Sequence, residues 1–505
     1  MGGQDDVIRF LADGASYGSP GAVVQRLVTH ISIVFLVGDR AYKLKRAVHL
    51  PYVDFSTLVL REAFCRRELS LNRRTAPSLY LGVRAIRRRP DGTLGFDGEG
   101  ALEDWVLEMH RFDQRALFDR LVAEGALTPM MMRDLTDEIV AFHEAAEPVA
   151  QYGGRAGMTG VVEGNHAALI ATCPPLERAA VDRLHAESTD RLARLGDLLD
   201  RRRDDGKVRR CHGDLHLRNI CLFEGRPTPF DCLEFDDALS CIDVLYDVAF
   251  LIMDLAHRGM VDLANAVFNR YVDLTTESDA LPALPLFLSV RAAIRAHVVA
   301  RQAQSPSSAD EARAYLSLAI ETLRARDRCL IAIGGLSGTG KSTLARNLAS
   351  TFGPAPGARV IRSDVLRKRL HDAKPEARLP PTAYTMETTR RVYDELNHQA
   401  DAAVAAGFPT IVDAAFLREN ERIEIAQTAA RSDAPFVGLW LEAPREILAE
   451  RIRARRDDAS DADTAVLDQQ LRMDVGRVDW HRIDVTNPAT GAATADSLIR
   501  AAVQG

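Results

Sequence analysis

Apolar and polar positions along the chain fall into two differently patterned stretches. In the C-terminal part, short apolar runs alternate with longer amphipathic ones. Residues 329–333 have the length and branching of a buried strand, 344–350 open a helix, and further strand-like runs lie at 359–362, 410–413 and 436–441. Alternating strand and helix predict a doubly wound parallel sheet. The N-terminal part is mixed. A helical signal at 7–11 precedes two apolar runs, 31–37 and 41–44, separated by Gly38, Asp39 and Arg40, which read as a hairpin. An amphipathic helix at 55–73 carries Glu62 and Glu68, arginines at 87–89 read as a loop, and 105–109 reads as a strand. From 116 to about 202 the pattern is helical, with a glycine-containing irregular break at 153–164. Helices at 286–304 and 311–326 complete this part, which places a domain boundary near Asp327. The expectation is therefore a bilobal, α+β N-terminal domain at 1–327 and an α/β parallel-sheet domain at 328–505.

Composition narrows the function classes. A chain of 505 residues is long enough for two cores, and 47% hydrophobic residues with a net charge of -7 describe a soluble globular protein without a basic excess for nucleic acid. Asp5, Asp6, Arg9 and Asp13 interrupt any secretory leader. No uninterrupted apolar run of 18 residues is present, since Asp247 and Asp254 break 244–256, so a cytoplasmic location without a membrane partner is expected. The seven cysteines include no C-x-x-C pair, and Cys211, Cys221, Cys232 and Cys241 read as buried thiols.

The most specific chemical signal runs from Gly335 through Leu336, Ser337, Gly338, Thr339, Gly340, Lys341 and Ser342 to Thr343. This G-x-x-x-x-G-K-S pattern lies between a predicted strand and a predicted helix, the context that a phosphate-cradling loop requires. Glycines leave room for backbone N–H groups to turn inward around phosphate oxygens. Lys341 would reach the β and γ phosphates of ATP, and Ser342 would offer its hydroxyl to Mg2+. Asp413 ends a predicted strand, as does a carboxylate that supports Mg2+. Asp364 stands at another strand end, either to activate an acceptor hydroxyl or simply to cap a helix. Arg451, Arg455 and Arg456, followed by Ser460, Asp461 and Ala462, form a basic stretch that resembles the mobile lid of small P-loop kinases, which implies an arginine closing over the transferring phosphate, with Arg455 the candidate; a solvated charge run is the alternative. Arg422 is a weaker candidate for gripping an acceptor.

A second constellation is His212-Gly213-Asp214-Leu215-His216-Leu217-Arg218-Asn219, followed by Asp231. Phosphoryl transfer needs an aspartate to take the acceptor proton and two oxygen ligands for Mg2+. Asp214 fits the base, Asn219 and Asp231 the metal ligands, and His212 a brace for the loop. Lys43 and Lys45 leave the second strand of the hairpin on one face. Arg291 and Arg295 share a helix face and could line an anionic pocket, although a solvated or salt-bridged face is the plainer reading.

On these residues, 1–327 resembles the aminoglycoside phosphotransferase superfamily, whose fold resembles that of protein kinases. The resemblance implies an ATP lysine at Lys43 or Lys45, a partner glutamate at Glu68, an adenine hinge at Glu108 and Met109, and a structural aspartate at Asp247. No glycine-rich loop precedes the lysine strand, and Cys232-Leu233-Glu234 follows Asp231 where protein kinases have Phe-Gly. Residues 328–486 resemble P-loop kinases of the gluconate kinase, polynucleotide kinase and zeta toxin group. The whole chain resembles bacterial fusions of these two domains, from which no acceptor follows. The resulting reading is an ATP- and Mg2+-dependent phosphotransferase acting on a hydroxyl of a small molecule, with its oligomeric state open. The alternative is a nucleotide-sensing regulator or scaffold.

Overall fold

A computed structural model describes every residue except 1–3, 51–52, 276, 303–304, 326–327, 455–458 and 505. The chain forms two compact units, residues 1–160 with 196–254, and residues 161–195 with 255–505.

The first unit is built on an antiparallel sheet in the order Gln25–Val28, Ser32–Val37, Arg40–Lys45, Ala101–His110, Tyr80–Arg88, Leu94–Phe96. Gly38, at φ 53, makes the tight turn between the second and third strands. Side-chain alternation gives the sheet two distinct faces. Phe35, Tyr42, Leu44, Ile86 and Val106 pack on one face with Val7 and Leu11 of helix Asp5–Ala12. Lys43 and Lys45 leave the other face, toward helix Leu58–Asn72. That helix starts at Thr57, whose hydroxyl accepts from the Leu60 N–H, and it buries Glu68 and Arg61. Arg61 pairs with the buried Asp104 at 2.7 Å. Two short antiparallel pairs follow, the hairpin Ile220–Phe223 with Arg226–Pro229, and Val208–Arg210 with Cys241–Asp243, which lies beyond that hairpin in the chain.

Several expectations meet the structure here. Arg87 and Arg88 belong to a nine-residue strand, because the half-buried strand Tyr80–Arg88 does not alternate cleanly enough to be read from periodicity. The stretch expected as an irregular break begins helix Gly154–Ile170. Met158, Val162, Asn165 and Leu169 form a buried stripe at helical spacing there, and its packing outweighs the glycine cost of about 1 kcal/mol per residue. Helical residues 277–302 include an 18-residue window of mean hydropathy 1.4, interrupted by Arg291 and Arg295 and 78% buried inside the fold, so the expectation of no uninterrupted apolar run of 18 residues stands beside one helix long and apolar enough to cross a membrane by composition. Arg291 in this segment is buried and Arg295 lies over the Tyr315 ring, so of the solvated or salt-bridged face expected for them the solvated reading does not hold.

The second unit contains a fully parallel sheet ordered Arg359–Arg362, Thr410–Asp413, Leu330–Gly335, Phe436–Glu442, His481–Asp484. The last strand had no clear sequence signal. The central strand is wholly buried, with one apolar layer around Leu344, Leu348 and Ile499 and another around Leu396, Val404 and Trp440. Helix Val261–Thr275 covers the edge strand Arg359–Arg362. Asn269 accepts from the Val360 N–H at 2.7 Å, Asn265 donates to the Pro356 and Ala358 carbonyls, and Asp273 pairs with the buried Arg359 at 2.5 Å. Side chains thus satisfy an edge that would otherwise expose unpaired backbone groups.

Candidate functional site

In the second unit, the tight loop after the central strand determines the site. Gly335 and Gly338 have φ of 133 and 87, and a Cβ on either would stand 2.6 Å from a carbonyl oxygen, that of Leu441 or Leu448. Only glycine fits such an approach. Gly340 is the left-handed N-cap of helix Lys341–Ala349, whose N-terminus favours an anion. The loop and the carboxyl ends of the parallel strands line a cavity of about 940 Å³ that contains Lys341, Ser342, Asp364, Asp413, Arg451 and Asp461.

Lys341 Nζ donates to the carbonyls of Gly335 and Leu336, both at 2.9 Å. The Ser342 hydroxyl donates to Asp413 Oδ2 at 2.5 Å. Arg362 completes a triangle with them, its Nη2 donating to Ser342 Oγ at 2.9 Å and its Nε to Asp413 Oδ2 at 3.2 Å. Asp364 lies in the first turn of helix Ser363–Arg369 without capping it, so the cap reading does not describe it. Burial pushes its carboxyl above the ordinary carboxylate range and Asp413 adds to the rise, against the positive charges of Arg362 and Lys341. A hydroxyl and a carboxylate form a hard oxygen pair suited to Mg2+.

The lid residues divide. Arg455 and Arg456 lie outside the described residues. Arg451 lines the cavity and donates to the Val485 carbonyl at 2.8 Å. Asp461 is held by Lys368 Nζ and the Tyr384 hydroxyl, each at 2.5 Å, and by the Leu379 N–H at 3.0 Å. Arg422 is not an acceptor grip. It is buried, and its guanidinium ties together the backbone carbonyls of Phe416, Val475 and Arg477. Sequence reading missed Arg362 and Gln470. Arg362 could have been found from its place at a strand's carboxyl end, two residues before Asp364. Gln470, which accepts from the Ser337 N–H at 2.8 Å, has no local signal.

In the first unit, Lys43 and Lys45 share one glutamate. Glu68 accepts from Lys43 at 2.7 Å on one oxygen and from Lys45 at 2.6 Å on the other. Lys43 also reaches Asp231 at 2.6 Å, while the more deeply buried Lys45 reaches Glu234 at 2.5 Å. Burial pushes the Glu68 carboxyl up, but the two ammonium groups override it and hold it below the usual carboxylate range. Asp231 has a left-handed backbone, φ 62, and its N–H donates to the Tyr80 hydroxyl. Asn219 donates to Asp214 Oδ2 at 2.8 Å, joining two members of the sequence constellation. Asp247 braces their loop, accepting the N–H groups of His212 and Gly213 at 3.0 and 2.9 Å, with His143 at 3.0 Å. His212 itself reaches the Phe230 carbonyl at 2.9 Å. Glu108 lies beside Tyr42, with its side chain on the face opposite Lys43. Cys211, Cys221, Cys232 and Cys241 are buried and none is in a disulfide.

Residues 330–473 match the family AAA_33, an AAA domain. Over 484 residues the chain is 29% identical to an uncharacterized protein of Mycobacterium tuberculosis, an alignment covering 91% of this chain and 92% of that one. Solved structures similar to it include a gluconokinase from Sinorhizobium meliloti, at 22% identity over 34% of this chain and 97% of that one with a TM-score of 0.24. A thermostable mutant of aminoglycoside phosphotransferase APH(4)-Ia matches at 14% identity over 62% of this chain and 97% of that one, with a TM-score of 0.39. The family-matched stretch, residues 330–473, lies within the unit that holds the parallel sheet and includes the loop from Gly335 to Lys341.

Proposed function

We propose that the chain is an ATP-dependent phosphotransferase with two nucleotide sites, each transferring a γ-phosphate to a hydroxyl of a small molecule. The observation that carries this reading is the convergence of Lys341, Ser342, Asp413 and Asp364 on one cavity at the carboxyl ends of parallel strands. In the P-loop domain the loop amides and Lys341 bind and orient the phosphates, and Asp364 takes the acceptor proton. Ser342 and Asp413 would hold Mg2+, which neutralises charge on the phosphates. In the kinase-like unit Lys43 is the ATP lysine, because it faces both Glu68 and Asp231, whereas Lys45 is committed to Glu68 and Glu234. Asp214 acts there as base, with Asn219 and Asp231 as the metal-holding pair.

The experiment is transfer from γ-labelled ATP into a small-metabolite extract by wild type, Lys341→Ala and Asp214→Asn. Each variant is expected to lose one set of labelled products and keep the other. Loss of all turnover in either single variant rules out two independent sites. ATP binding without any labelled product in any version favours the nucleotide sensor instead.

A further inference from the structure

Arg362 stands where the two proposed metal-holding groups meet. It is the last residue of its strand and pairs in parallel register with Asp413, so both side chains emerge at the same sheet edge, beside the loop. Its guanidinium donates to Ser342 Oγ and to Asp413 Oδ2, while the Ser342 hydroxyl donates to that same carboxylate oxygen. The contacts are largely desolvated, with side-chain exposures of 14% for Arg362 and 6% for Asp413. The position is thus built to hold a cation, and the chain supplies one itself.

We propose that Arg362 and a divalent cation are alternative occupants of the Ser342–Asp413 pair. Mg2+ takes oxygen ligands at about 2.0–2.1 Å in a strict octahedral arrangement. A guanidinium on the same hydroxyl and the same carboxylate blocks ligand directions and repels the incoming ion at short range in a poorly solvated site. Divalent cation entry therefore requires Arg362 to leave Ser342. Guanidinium is weakly hydrated and forks onto phosphate or carboxylate, so the adjacent cavity, lined by Asp364 and the phosphate loop, can receive it. Nucleotide and divalent cation then bind with a coupling that Arg362 sets.

This inference rests on the nucleotide reading of the P-loop domain, and its test separates the two. ADP affinity is measured calorimetrically across a Mg2+ series for wild type, Arg362→Gln and Arg362→Lys in the full chain. Glutamine removes the charge but can still donate to Ser342. It is expected to lower the Mg2+ concentration at the midpoint of the affinity rise by about fivefold or more, the lower end of typical coupling between ligands. Lysine keeps the charge and stays near wild type. An unchanged or raised midpoint in Arg362→Gln overturns the inference while leaving the nucleotide site in place. Wild type that binds no ADP at any Mg2+ concentration removes both. Should the glutamine variant fail to fold, crystal structures of wild type with and without Mg2+ and ADP decide. The inference expects Arg362 to move beyond hydrogen-bond reach of Ser342, about 3.5 Å, only in the loaded form; a guanidinium still bonded to Ser342 beside the bound ion refutes it.

Discussion

Asp364 can act as a base only after losing its own proton, and burial makes that loss harder. Its raised carboxyl has a direct consequence for pH dependence. In the proposed reaction the active form is the carboxylate, so transfer at the parallel-sheet site is expected to increase as pH rises through the Asp364 pKa, with the acidic limb of kcat/KM above the range of an ordinary carboxylate, about 4. Asp364→Asn is expected to lower kcat about 10²–10⁴-fold and to erase that limb. A pH profile of transfer by both proteins checks this, and a limb unchanged in the variant assigns the proton to another group. At this scale the sequence named Asp364, Asp413 and Lys341 from spacing alone. It left Lys43 and Lys45 equivalent, because two residues apart on a strand they share a face. Asp231, 188 residues from Lys43, and Glu234, 189 residues from Lys45, distinguish them.

At the scale of elements, the phosphate loop owes its shape to two close backbone approaches. Gly335→Ala would place a Cβ 2.6 Å from the Leu441 carbonyl oxygen at a φ of 133, whereas Gly340→Ala meets nothing within 4 Å at a φ of 85. Both substitutions carry left-handed backbone strain of about 1–2 kcal/mol, and Gly335→Ala adds a steric clash with main chain. Gly335→Ala should therefore be the less stable of the two in denaturant titration and should lose ADP binding. Equal stability of the two variants would mean that the loop relaxes away from the Leu441 strand. The loop was legible in the sequence because motif, strand and helix are contiguous there. Strand Tyr80–Arg88 and helix Gly154–Ile170 were misread, since one is half-buried without clean alternation and the other carries glycines inside a packed stripe. Local propensity loses to packing in such places.

At the scale of the whole molecule, the unit that contains the parallel sheet also contains residues 161–195 and 255–327. The edge strand depends on them, because buried Arg359 is paired with Asp273, and Asn265 and Asn269 satisfy its neighbouring backbone. A fragment beginning at 328 would leave that guanidinium without its carboxylate, a loss of about 3–5 kcal/mol for a buried ion pair stripped of one partner. A fragment of 255–505 should accordingly unfold at higher denaturant than one of 328–505; matching midpoints would show that the sheet stands without helix Val261–Thr275. Sequence alone determined the parallel-sheet fold, the phosphate loop and the aspartate constellations, because each is written in short-range spacing and in the period of apolar positions. Tertiary structure decided which lysine meets Asp231, that Arg362 lies between Ser342 and Asp413, that Gln470 meets the loop across 133 residues and that Arg422 is structural. Those choices depend on which side chains chain folding brings within a few ångströms, and no local pattern encodes them.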